Sequence, residues 1–427
     1  MSSTTMSPQL RQWRYRVFAA TWLSYAGFYF CRKPFFIAKP ALSEELGWDP
    51  ATLGYIGTAY LVSYAIGQFI AGAAGDRWGP RILLLIGMAV SAGANLSFGL
   101  TNSAGTFMSL MVVNGLAQAT GWSGNVGSMA QWFHRRERGT VMGLWATNYQ
   151  VGGVLANTLA AWALGQWGFQ ASFFTGSLVL LGVWVLFLFH QRDRPQDVGL
   201  PALVNEEDST PSNSSSTSQA APSPGHNWNR RIWINVLLVG GFYFFVKFIR
   251  YSLWSWSPLL LRRDFGLDLD DAGYLSTAFD LAGIAGVIAA GWLSDRLFSG
   301  RRAKISFLFI IGMTASCLLL YLLGPASLLL FGLSIGLVGF FLYGPDALMT
   351  GAAAIEVGSP RSATLAAGII NGMGAIGSVA QELLLGQLLG AGEGLGEVFA
   401  LLLASSLAAA LVLAVLLWRG RMGEADI

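Results

Sequence analysis

"GAAGDRWGPR", residues 72–81, has a counterpart in "GWLSDRLFSGRR", residues 291–302. In each stretch a glycine stands four residues before an Asp-Arg pair, and a long apolar segment precedes the pair. A motif that returns in the second half of a chain is typical of an internal repeat.

The positions of two further arginines support the repeat. Arg32 lies 44 residues before Asp76, and Arg250 lies 45 residues before Asp295. One match of spacing can arise by chance. The motif and the arginine position together predict two halves with the same organisation.

The composition is that of a membrane protein. Of the 427 residues, 54% are hydrophobic and only 11% are charged, which is too apolar for a soluble protein of this length. About 20 apolar residues cross the hydrocarbon core as a helix. We predict twelve transmembrane helices, with approximate spans 15–36, 52–74, 81–101, 105–132, 139–164, 170–190, 232–260, 272–294, 304–323, 327–355, 362–390 and 395–418.

A polar segment separates the sixth predicted helix from the seventh. It includes "LVNEEDSTPSNSSSTSQAAPSPGHNWNRR" (203–231), which is rich in serine, proline and acidic residues and cannot bury a core. We therefore predict an N-terminal six-helix half at residues 1–190, a partly disordered cytoplasmic linker at 191–231 and a C-terminal six-helix half at 232–427.

The positions of arginine and lysine predict the orientation of the helices, because cytoplasmic loops carry an excess of these residues. Basic loops alternate along the chain with uncharged or acidic loops, and basic residues stand before the first predicted helix and after the last. Both termini are therefore predicted to be cytoplasmic. The basic tail leads into a long apolar segment without a small-residue cleavage site, so no cleavable signal peptide is expected.

Two six-helix halves related by an axis along the membrane normal, with a substrate site between them, describe the major facilitator architecture. The loop at residues 72–81 is similar to that superfamily's best-known motif, Asp-Arg-x-Gly-x-Arg. We predict an all-α membrane protein with this fold, its twelve transmembrane helices in two pseudo-symmetric halves. The charged residues of the motif and of its counterpart are assigned to gating: Asp76, Arg77, Arg81, Asp295 and Arg296.

Seven charged residues in the predicted helices are candidates for a position at bilayer depth. A charge at bilayer depth costs roughly 2.5–3.5 kcal/mol on insertion scales, so each one needs a partner, a water-filled cavity or a route to the interface. Arg250 lies 19 residues beyond Arg231, about 28 Å along a straight helix, and is poorly placed to reach either surface. The seven are Arg32, Lys33, Lys247, Arg250, Asp280, Asp346 and Glu382.

Arg32 and Arg250 admit two interpretations. They could pair with Asp280, Asp346 or Glu382 as structural bridges, or they could form a fork that holds an anion at the centre of the molecule. Guanidinium groups are planar, stay charged and offer paired donors that match a phosphate or carboxylate edge. We favour the anion fork because a structural bridge has no need to occur once in each half.

The remaining charges are less well defined. Lys247 stands three residues before Arg250 and shares its helical face, whereas Lys33 is adjacent to Arg32 and is expected to point elsewhere. The three carboxyl groups could neutralise the cations or carry a proton, since desolvation favours the protonated form and a nearby cation favours the carboxylate.

Several blocks of sequence resemble the organophosphate:phosphate antiporter family, and together they cover nearly the whole chain. That family includes bacterial glycerol-3-phosphate and hexose-phosphate transporters and a hexose-phosphate sensor. The blocks are "SYAGFYFCRKPF" (24–35), "NGLAQATGW" (114–122), "RRERGTVMGLWATNYQVGG" (135–153), "RDRPQDVGLP" (192–201), "IRYSLWSWSPLLL" (249–261), "DLAGIAGVIAAGWLSDRLFSG" (280–300) and "FFLYGPDALMTGAAAIE" (340–356).

The resemblance implies roles for individual residues. The arginines of helices 1 and 7 bind the phosphoryl group in that family, which implies this role for Arg32 and Arg250. It also implies substrate contacts for aromatic residues that match the family by position: Tyr25, Tyr29, Tyr64 and Trp122.

The chain departs from the family's pattern in several places. Gln68 stands where family transporters carry a lysine in helix 2, and Tyr149 stands where the glycerol-3-phosphate transporter has a histidine. Lys247 replaces a tyrosine of that transporter and is expected to restore the missing charge. We count these three residues among the substrate-binding candidates and assign charge balance or coupling to Lys33, Asp280, Asp346 and Glu382.

The resemblance implies a secondary antiporter that exchanges a small organophosphate, a sugar phosphate or glycerol phosphate, for inorganic phosphate by alternating access. Two alternatives remain open: a membrane sensor of a sugar phosphate, and a proton-coupled transporter of another organic anion. We find no nucleophile–base set, metal cluster or nucleotide loop in the sequence and expect no enzyme activity, cofactor or metal.

The expected partners are the phosphorylated anion, inorganic phosphate and the lipid bilayer, without nucleic acid. We expect a monomeric, multi-pass protein of the plasma membrane, the inner membrane of a bacterium.

Overall fold

Helices make up most of the residues that the computed structural model describes, which are 7–133, 141, 144, 145, 147–201, 230–297, 302–348 and 363–422. Within these residues there is no β-strand. Numbered in chain order, the α-helices are α1 Pro8–Phe30, α2 Lys33–Leu46, α3 Pro50–Trp78, α4 Pro80–Phe98, α5 Ala104–Trp132, α6 Thr147–Trp167, α7 Phe169–His190, α8 Arg230–Phe265, α9 Leu269–Ser276, α10 Ala278–Leu297, α11 Arg302–Leu323, α12 Leu328–Leu348, α13 Ala363–Gly390 and α14 Leu395–Arg421. Short 3₁₀ turns occupy Pro195–Val198 and Gly324–Ala326.

Nine segments of the described residues are long and apolar enough to cross a membrane. Each overlaps one of the predicted spans, which confirms the prediction of a polytopic helical membrane protein. The nine are Pro50–Ala71, Pro80–Phe98, Phe169–His190, Arg230–Phe265, Leu269–Leu293, Lys304–Ala326, Leu328–Ala347, Ile369–Gly390 and Leu395–Arg421.

Three predicted spans, 15–36, 105–132 and 139–164, are not among these nine. The described parts of these spans are largely helical and fall in α1, α2, α5 and α6. The helices carry buried polar side chains, such as Lys33 on α2 and Gln118 on α5, which are 1% and 0% exposed. Polar groups at membrane depth face the interior of a helical bundle, and they make these segments less apolar than the other nine.

Arg32 lies in a break between α1 and α2 that the single predicted span did not include. Pro34 stands in the first turn of α2, where the N–H that proline lacks would have no helical partner in any case. The helical chain then continues to Leu46, ten residues beyond the predicted end of the span. The first span is therefore two helices, with an arginine between them.

Side chains of α5 compensate for the break. A helix end leaves carbonyl groups without intrahelical donors, and such groups are costly inside a membrane. Gln118 donates to the carbonyl of Phe28 at 3.0 Å, and Asn114 donates to the carbonyl of Cys31 at 2.9 Å. The sequence of α5 thus stabilises the irregular backbone beside Arg32.

Arg250 occupies a different local structure. It lies within α8, which runs without interruption from Arg230 to Phe265 even though Pro258 is inside it. The two arginines that correspond in sequence therefore have unlike backbones: one at a helix break and one in a regular helix.

Glycines bring helices from before and after residues 202–229 into close contact. A Cβ atom on Gly54 of α3 would lie 2.8 Å from the carbonyl oxygen of Glu382 and 3.1 Å from the Cα atom of Gly386, both on α13. A Cβ atom on Gly273 of α9 would lie 2.5 Å from the Cβ atom of Ala161 on α6. Small residues at helix interfaces allow such close approach, and they close the molecule at the end where α2 ends and α3 begins.

Candidate functional site

A cavity lies among α1, α2, α6, α8, α10 and α12. The space within it, including the part open to solvent, is about 360 Å³. The cavity brings together six of the predicted site residues, from both sides of the linker. Its lining residues are Tyr29, Arg32, Lys33, Tyr149, Gln150, Gly153, Arg250, Tyr251, Trp254, Asp280 and Tyr343.

Arg32 presents an unpaired donor at this cavity. Its Nε atom donates to Gln118 Oε1 at 2.9 Å, and its guanidinium lies over the rings of Tyr29 and Tyr64, 4.7 and 5.0 Å from the ring centroids. Its Nη2 atom is buried and has no hydrogen-bond partner among the residues that the structure describes. Buried donors are rarely left unpaired, so this atom is a strong indication of a ligand.

Gln118 fixes the orientation of the Arg32 side chain. Its amide nitrogen donates to the carbonyl of Phe28 and to Ser91 Oγ, the latter at 3.2 Å. Its amide oxygen therefore faces Arg32, and it also accepts from the Tyr60 hydroxyl at 3.3 Å. The planar guanidinium is thereby held through its Nε atom, and its Nη2 atom has no partner among the described residues.

Lys33 lies on the same cavity, contrary to the expectation that it points away from Arg32. Its Nζ atom is 3.1 Å from Asp280 Oδ2 and 4.0 Å from the centroid of a Trp254 ring. Because the helix is broken at Arg32, the regular helical turn does not separate the two adjacent side chains.

Asp280 is satisfied on both oxygens. Besides Lys33, it accepts a 2.5 Å hydrogen bond from the Tyr343 hydroxyl and a 3.5 Å contact from Asn157 Nδ2. Desolvated carboxylates require such donors. Asp280 thus connects α2, α6, α10 and α12 at one wall of the cavity.

Arg250 is already paired. Its Nη1 atom donates to Asp346 Oδ2 at 2.7 Å, and its guanidinium lies 4.5 Å from the centroid of the Tyr343 ring. Arg250 and Asp346 are 16% and 9% exposed. The two arginines therefore differ, because Arg32 has no carboxylate partner among the described residues and Arg250 has one.

Lys247 is near the cavity but does not line it. Its Nζ atom lies 5.3 Å from the centroid of the Tyr243 ring and 5.0 Å from that of Tyr251. It forms no ion pair with a carboxylate of the described residues. It is therefore a cation held by aromatic rings, one helical turn from Arg250.

Four other predicted substrate residues also lie off the cavity wall. Tyr25 packs against Trp122 and Tyr29, with ring centroids 5.6 and 6.0 Å apart. The guanidinium of Arg32 lies over the ring of Tyr64, and Gln68 is half-buried. The structure places these residues beside the site or further along the same helices, whereas Tyr29 and Tyr149 reach the cavity itself.

Glu382 pairs with Lys39, a cation that sequence reasoning missed. Their Nζ and Oε1 atoms are 2.5 Å apart, and both side chains are 0% exposed. Ser255 bonds both partners, and Gln381 donates to the other oxygen of Glu382 at 3.0 Å. Glu382 therefore balances the charge of Lys39 in this structure and not that of Lys247 or an arginine, since α13 carries it to the closed end of the molecule.

One signal in the sequence could have revealed Lys39. It stands seven residues after Arg32 in the apolar run "FFIAKPAL" (35–42), but the predicted span ended before it. Its Nζ atom lies 3.4 Å from the centroid of a Trp256 ring, a cation–π contact that sequence alone does not show.

The predicted gating residues are only partly described. The side chains of Asp76, Asp295 and Arg296 lie outside the described residues, and Arg77 is exposed. Arg81 Nη2 donates to the carbonyl of Leu188 at 2.7 Å.

Asp193, in the first part of the predicted linker, packs against the start of α4. It accepts from the backbone N–H of Arg81 at 2.9 Å and from Gln191 Nε2 at 3.2 Å. Burial raises the pKa of the Asp193 carboxyl. Trp132 donates to the carbonyl of Arg192 at 2.9 Å, so the described start of the linker is attached to the N-terminal helices.

Several cavity residues were not singled out from the sequence. Gln150 is the most informative, because its Nε2 atom is buried and lacks a hydrogen-bond partner within the described residues. The others are Gly153, Tyr251, Trp254 and Tyr343. Within the described part of the chain, no group of three His, Cys, Asp or Glu side chains could hold a metal ion.

The sequence profile of the Major Facilitator Superfamily matches residues 17–381 and 241–425. This chain belongs to the Major Facilitator Superfamily. Membership confirms the predicted fold family and makes the chain a membrane transporter rather than an enzyme.

Curated relatives indicate which members of the superfamily this chain is similar to. A probable hexose phosphate transport protein of Chlamydia trachomatis is 30% identical over 84% of this chain and 81% of its own. The glycerol-3-phosphate transporter of Bacillus subtilis is 29% identical over 89% and 87%, and the membrane sensor protein UhpC of Escherichia coli is 30% identical over 84% and 82%. The predicted resemblance to organophosphate transporters and a sensor is confirmed.

A solved structure agrees on the fold. A bacterial homolog of the human lysosomal transporter Spinster, in an inward-facing and occupied conformation, matches with a TM-score of 0.74 over 97% of this chain and 99% of that one. The two sequences are 14% identical, so the likeness concerns the fold alone.

Proposed function

We propose that this superfamily member is a secondary antiporter that exchanges a small organophosphate, a sugar phosphate or glycerol phosphate, for inorganic phosphate. The observation that carries the proposal is the unpaired Nη2 atom of Arg32 on a cavity that also contains Arg250. Guanidinium groups bind phosphate edges through paired, charge-assisted hydrogen bonds. Gln150 supplies a second unpaired donor on the same cavity.

The charge balance of the site suits a phosphate monoester. Among the described residues, Arg32, Lys33, Lys247 and Arg250 carry four positive charges. The two carboxylates that pair with Lys33 and Arg250, Asp280 and Asp346, carry two negative charges. Two positive charges are left over. A phosphate monoester near neutral pH carries about −1.5 to −2, so one bound substrate neutralises the site.

The same charge balance favours exchange of one phosphate-containing substrate for another. An uncompensated charge inside the membrane is costly, so the empty site resists the reorientation that a phosphate-loaded site can make. We propose alternating access by two six-helix halves, twelve helices in all, with both termini cytoplasmic and with gating by the Asp-Arg motifs. The protein acts as a monomer in a bacterial inner membrane.

Transport in proteoliposomes tests the proposal. With phosphate inside, labelled phosphate, glycerol-3-phosphate and glucose-6-phosphate are offered outside, with and without an uncoupler. We expect uptake of phosphate and of at least one organophosphate that requires internal phosphate and is insensitive to the uncoupler. Uptake that needs no internal phosphate and collapses with the uncoupler would favour proton-coupled transport and contradict exchange.

A second candidate, a membrane sensor of a sugar phosphate, is favoured by one observation. The relative named as a membrane sensor is as similar to this chain as the hexose phosphate relative is, at 30% identity. Binding of a sugar phosphate to the purified protein, together with no flux in the proteoliposomes, would support the sensor.

A further inference from the structure

Asp346 occupies the position at Arg250 that a bound anion would need. Its Oδ2 atom is 2.7 Å from Arg250 Nη1, a normal distance for a charge-assisted hydrogen bond. Arg32, across the cavity, has no such carboxylate among the described residues and keeps a free Nη2 atom. An anion that is to bind both arginines must therefore compete with Asp346 at one of them.

A displaced carboxylate needs another cation. Removing the partner of a buried charge costs about 3–5 kcal/mol, which would make displacement of Asp346 unfavourable in an apolar surrounding. Lys247 stands one turn before Arg250 on α8, a rise of about 4.5 Å. It is held by the rings of Tyr243 and Tyr251 and forms no ion pair with a described residue.

We propose that Asp346 is an internal anion that holds Arg250 while the site is empty and moves to Lys247 when phosphate binds. Before binding, Arg250 is paired with Asp346, and Lys247 has no carboxylate partner among the described residues. After binding, Arg250 pairs with phosphate and Lys247 pairs with Asp346. Lys247 then acts as a positioning residue and not as a substrate ligand. This inference rests on the proposed function, since it assigns a step to phosphate binding at the same cavity.

This change of partner by Asp346, the Asp346 switch, has a measurable consequence for the affinity for phosphate. An external anion cannot bind Arg250 while Asp346 occupies it. The apparent affinity for the anion is therefore reduced in proportion to the fraction of time that the site is free. Asp346→Asn removes the competing charge and should tighten phosphate binding. Lys247→Met removes the cation that receives Asp346 and should weaken it, whereas Lys247→Arg should leave it near the wild-type value.

Calorimetric titration of inorganic phosphate into the full-length protein in lipid nanodiscs tests this with a double-mutant cycle. We expect binding about tenfold tighter for Asp346→Asn and about tenfold weaker for Lys247→Met. The double variant should bind like Asp346→Asn alone, to within about twofold, because Lys247 has nothing left to receive. Asp346→Ser serves as a second variant should the asparagine variant fail to fold.

Each other outcome overturns the switch. If Lys247→Met weakens binding as much in the Asp346→Asn background as in the wild type, Lys247 contacts phosphate directly. If neither Asp346 variant tightens binding, Asp346 does not compete. If phosphate binding takes up a proton in the wild type but not in Asp346→Asn, the carboxyl is protonated instead of moving. Failure of the wild type itself to bind phosphate would instead reject the proposed function.

Discussion

Lys33 and Lys39 lie six residues apart on α2, and each pairs with a carboxylate from the C-terminal part of the chain. Lys33 and Asp280 line the cavity beside an arginine with a free nitrogen. Lys39 and Glu382 are fully buried, and both oxygens of Glu382 accept hydrogen bonds. An ion pair inside a membrane protein does not by itself mark a binding site; the proposed function relies on the unpaired donor on the cavity instead.

The two ends of α2 thus lie in different surroundings. At the Lys39–Glu382 contact, satisfied charges and closely packed glycines hold α2, α3, α8 and α13 together. At the cavity, Arg32 Nη2 and Gln150 Nε2 have no hydrogen-bond partner among the described residues, and the proposed function assigns them to a ligand. Substitutions in matched pairs, one at each end, test this contrast.

We expect Lys39→Met to have the largest effect. It leaves Glu382 as an uncompensated buried charge, which should lower the free energy of unfolding by about 3–5 kcal/mol. Lys33→Met should cost less, because Asp280 keeps its hydrogen bond from Tyr343. The midpoint of thermal unfolding in detergent measures both.

A double variant controls for the loss of packing at Lys39. Lys39→Met/Glu382→Gln removes both charges and should recover most of the lost stability, since a neutral buried pair needs no counter-charge. A double variant as unstable as Lys39→Met would show that the charge of Glu382 is not the cause.

Two glycine substitutions should distinguish the effect of tighter helix packing from the effect of a smaller cavity. In Gly54→Ala the new Cβ would lie 2.8 Å from the carbonyl oxygen of Glu382, which should destabilise the protein by about 1–3 kcal/mol. In Gly153→Ala the nearest atoms are 3.7 Å away, in Tyr29, so stability should hold or rise by up to about 1 kcal/mol.

Gly153→Ala should impair transport even though it does not destabilise the fold. The added methyl group narrows the cavity, so exchange of a hexose phosphate should fall more than exchange of inorganic phosphate, as competition against labelled phosphate would measure. Equal inhibition of both substrates would argue that Gly153 does not border the space for the organic group.

The smallest effect is expected for Gln150→Leu. Loss of one neutral donor to a bound anion is worth about 1 kcal/mol, or about fivefold weaker phosphate binding by calorimetry. Stability should not fall, because the Nε2 atom of Gln150 has no partner to lose among the described residues. Gln118→Leu is the matched control and should lower stability, since it frees Arg32 and the carbonyl of Phe28.

The class of protein and most of its membrane spans could be predicted from the sequence. A chain that crosses a bilayer needs long apolar segments, and its basic loops follow from the same setting. The sequence also indicated Arg32, Arg250 and Asp280, since a charge in an apolar segment needs an explanation. The pairing of these charges was not accessible, because it depends on how helices far apart in sequence pack. Asp346 proved to be the partner of Arg250.

Neutral residues and irregular backbone were the hardest to predict. Gln150 and Trp254 reach the cavity without any charge to attract attention. Lys39 was overlooked because α2 continues past the predicted end of the first span. The break at Arg32 depends on Gln118, in another helix, and no local pattern around Arg32 reveals that support.

The most direct test of an anion site at the cavity is phosphate binding by Arg32→Gln, compared with Lys39→Met/Glu382→Gln, by calorimetry in nanodiscs. Truncating a charge that bonds a buried anion costs about 2–5 kcal/mol, so Arg32→Gln should bind phosphate at least about thirtyfold more weakly than the wild type. The variant at the closed end should bind it with near wild-type affinity. Wild-type binding by Arg32→Gln would contradict the assignment of the site.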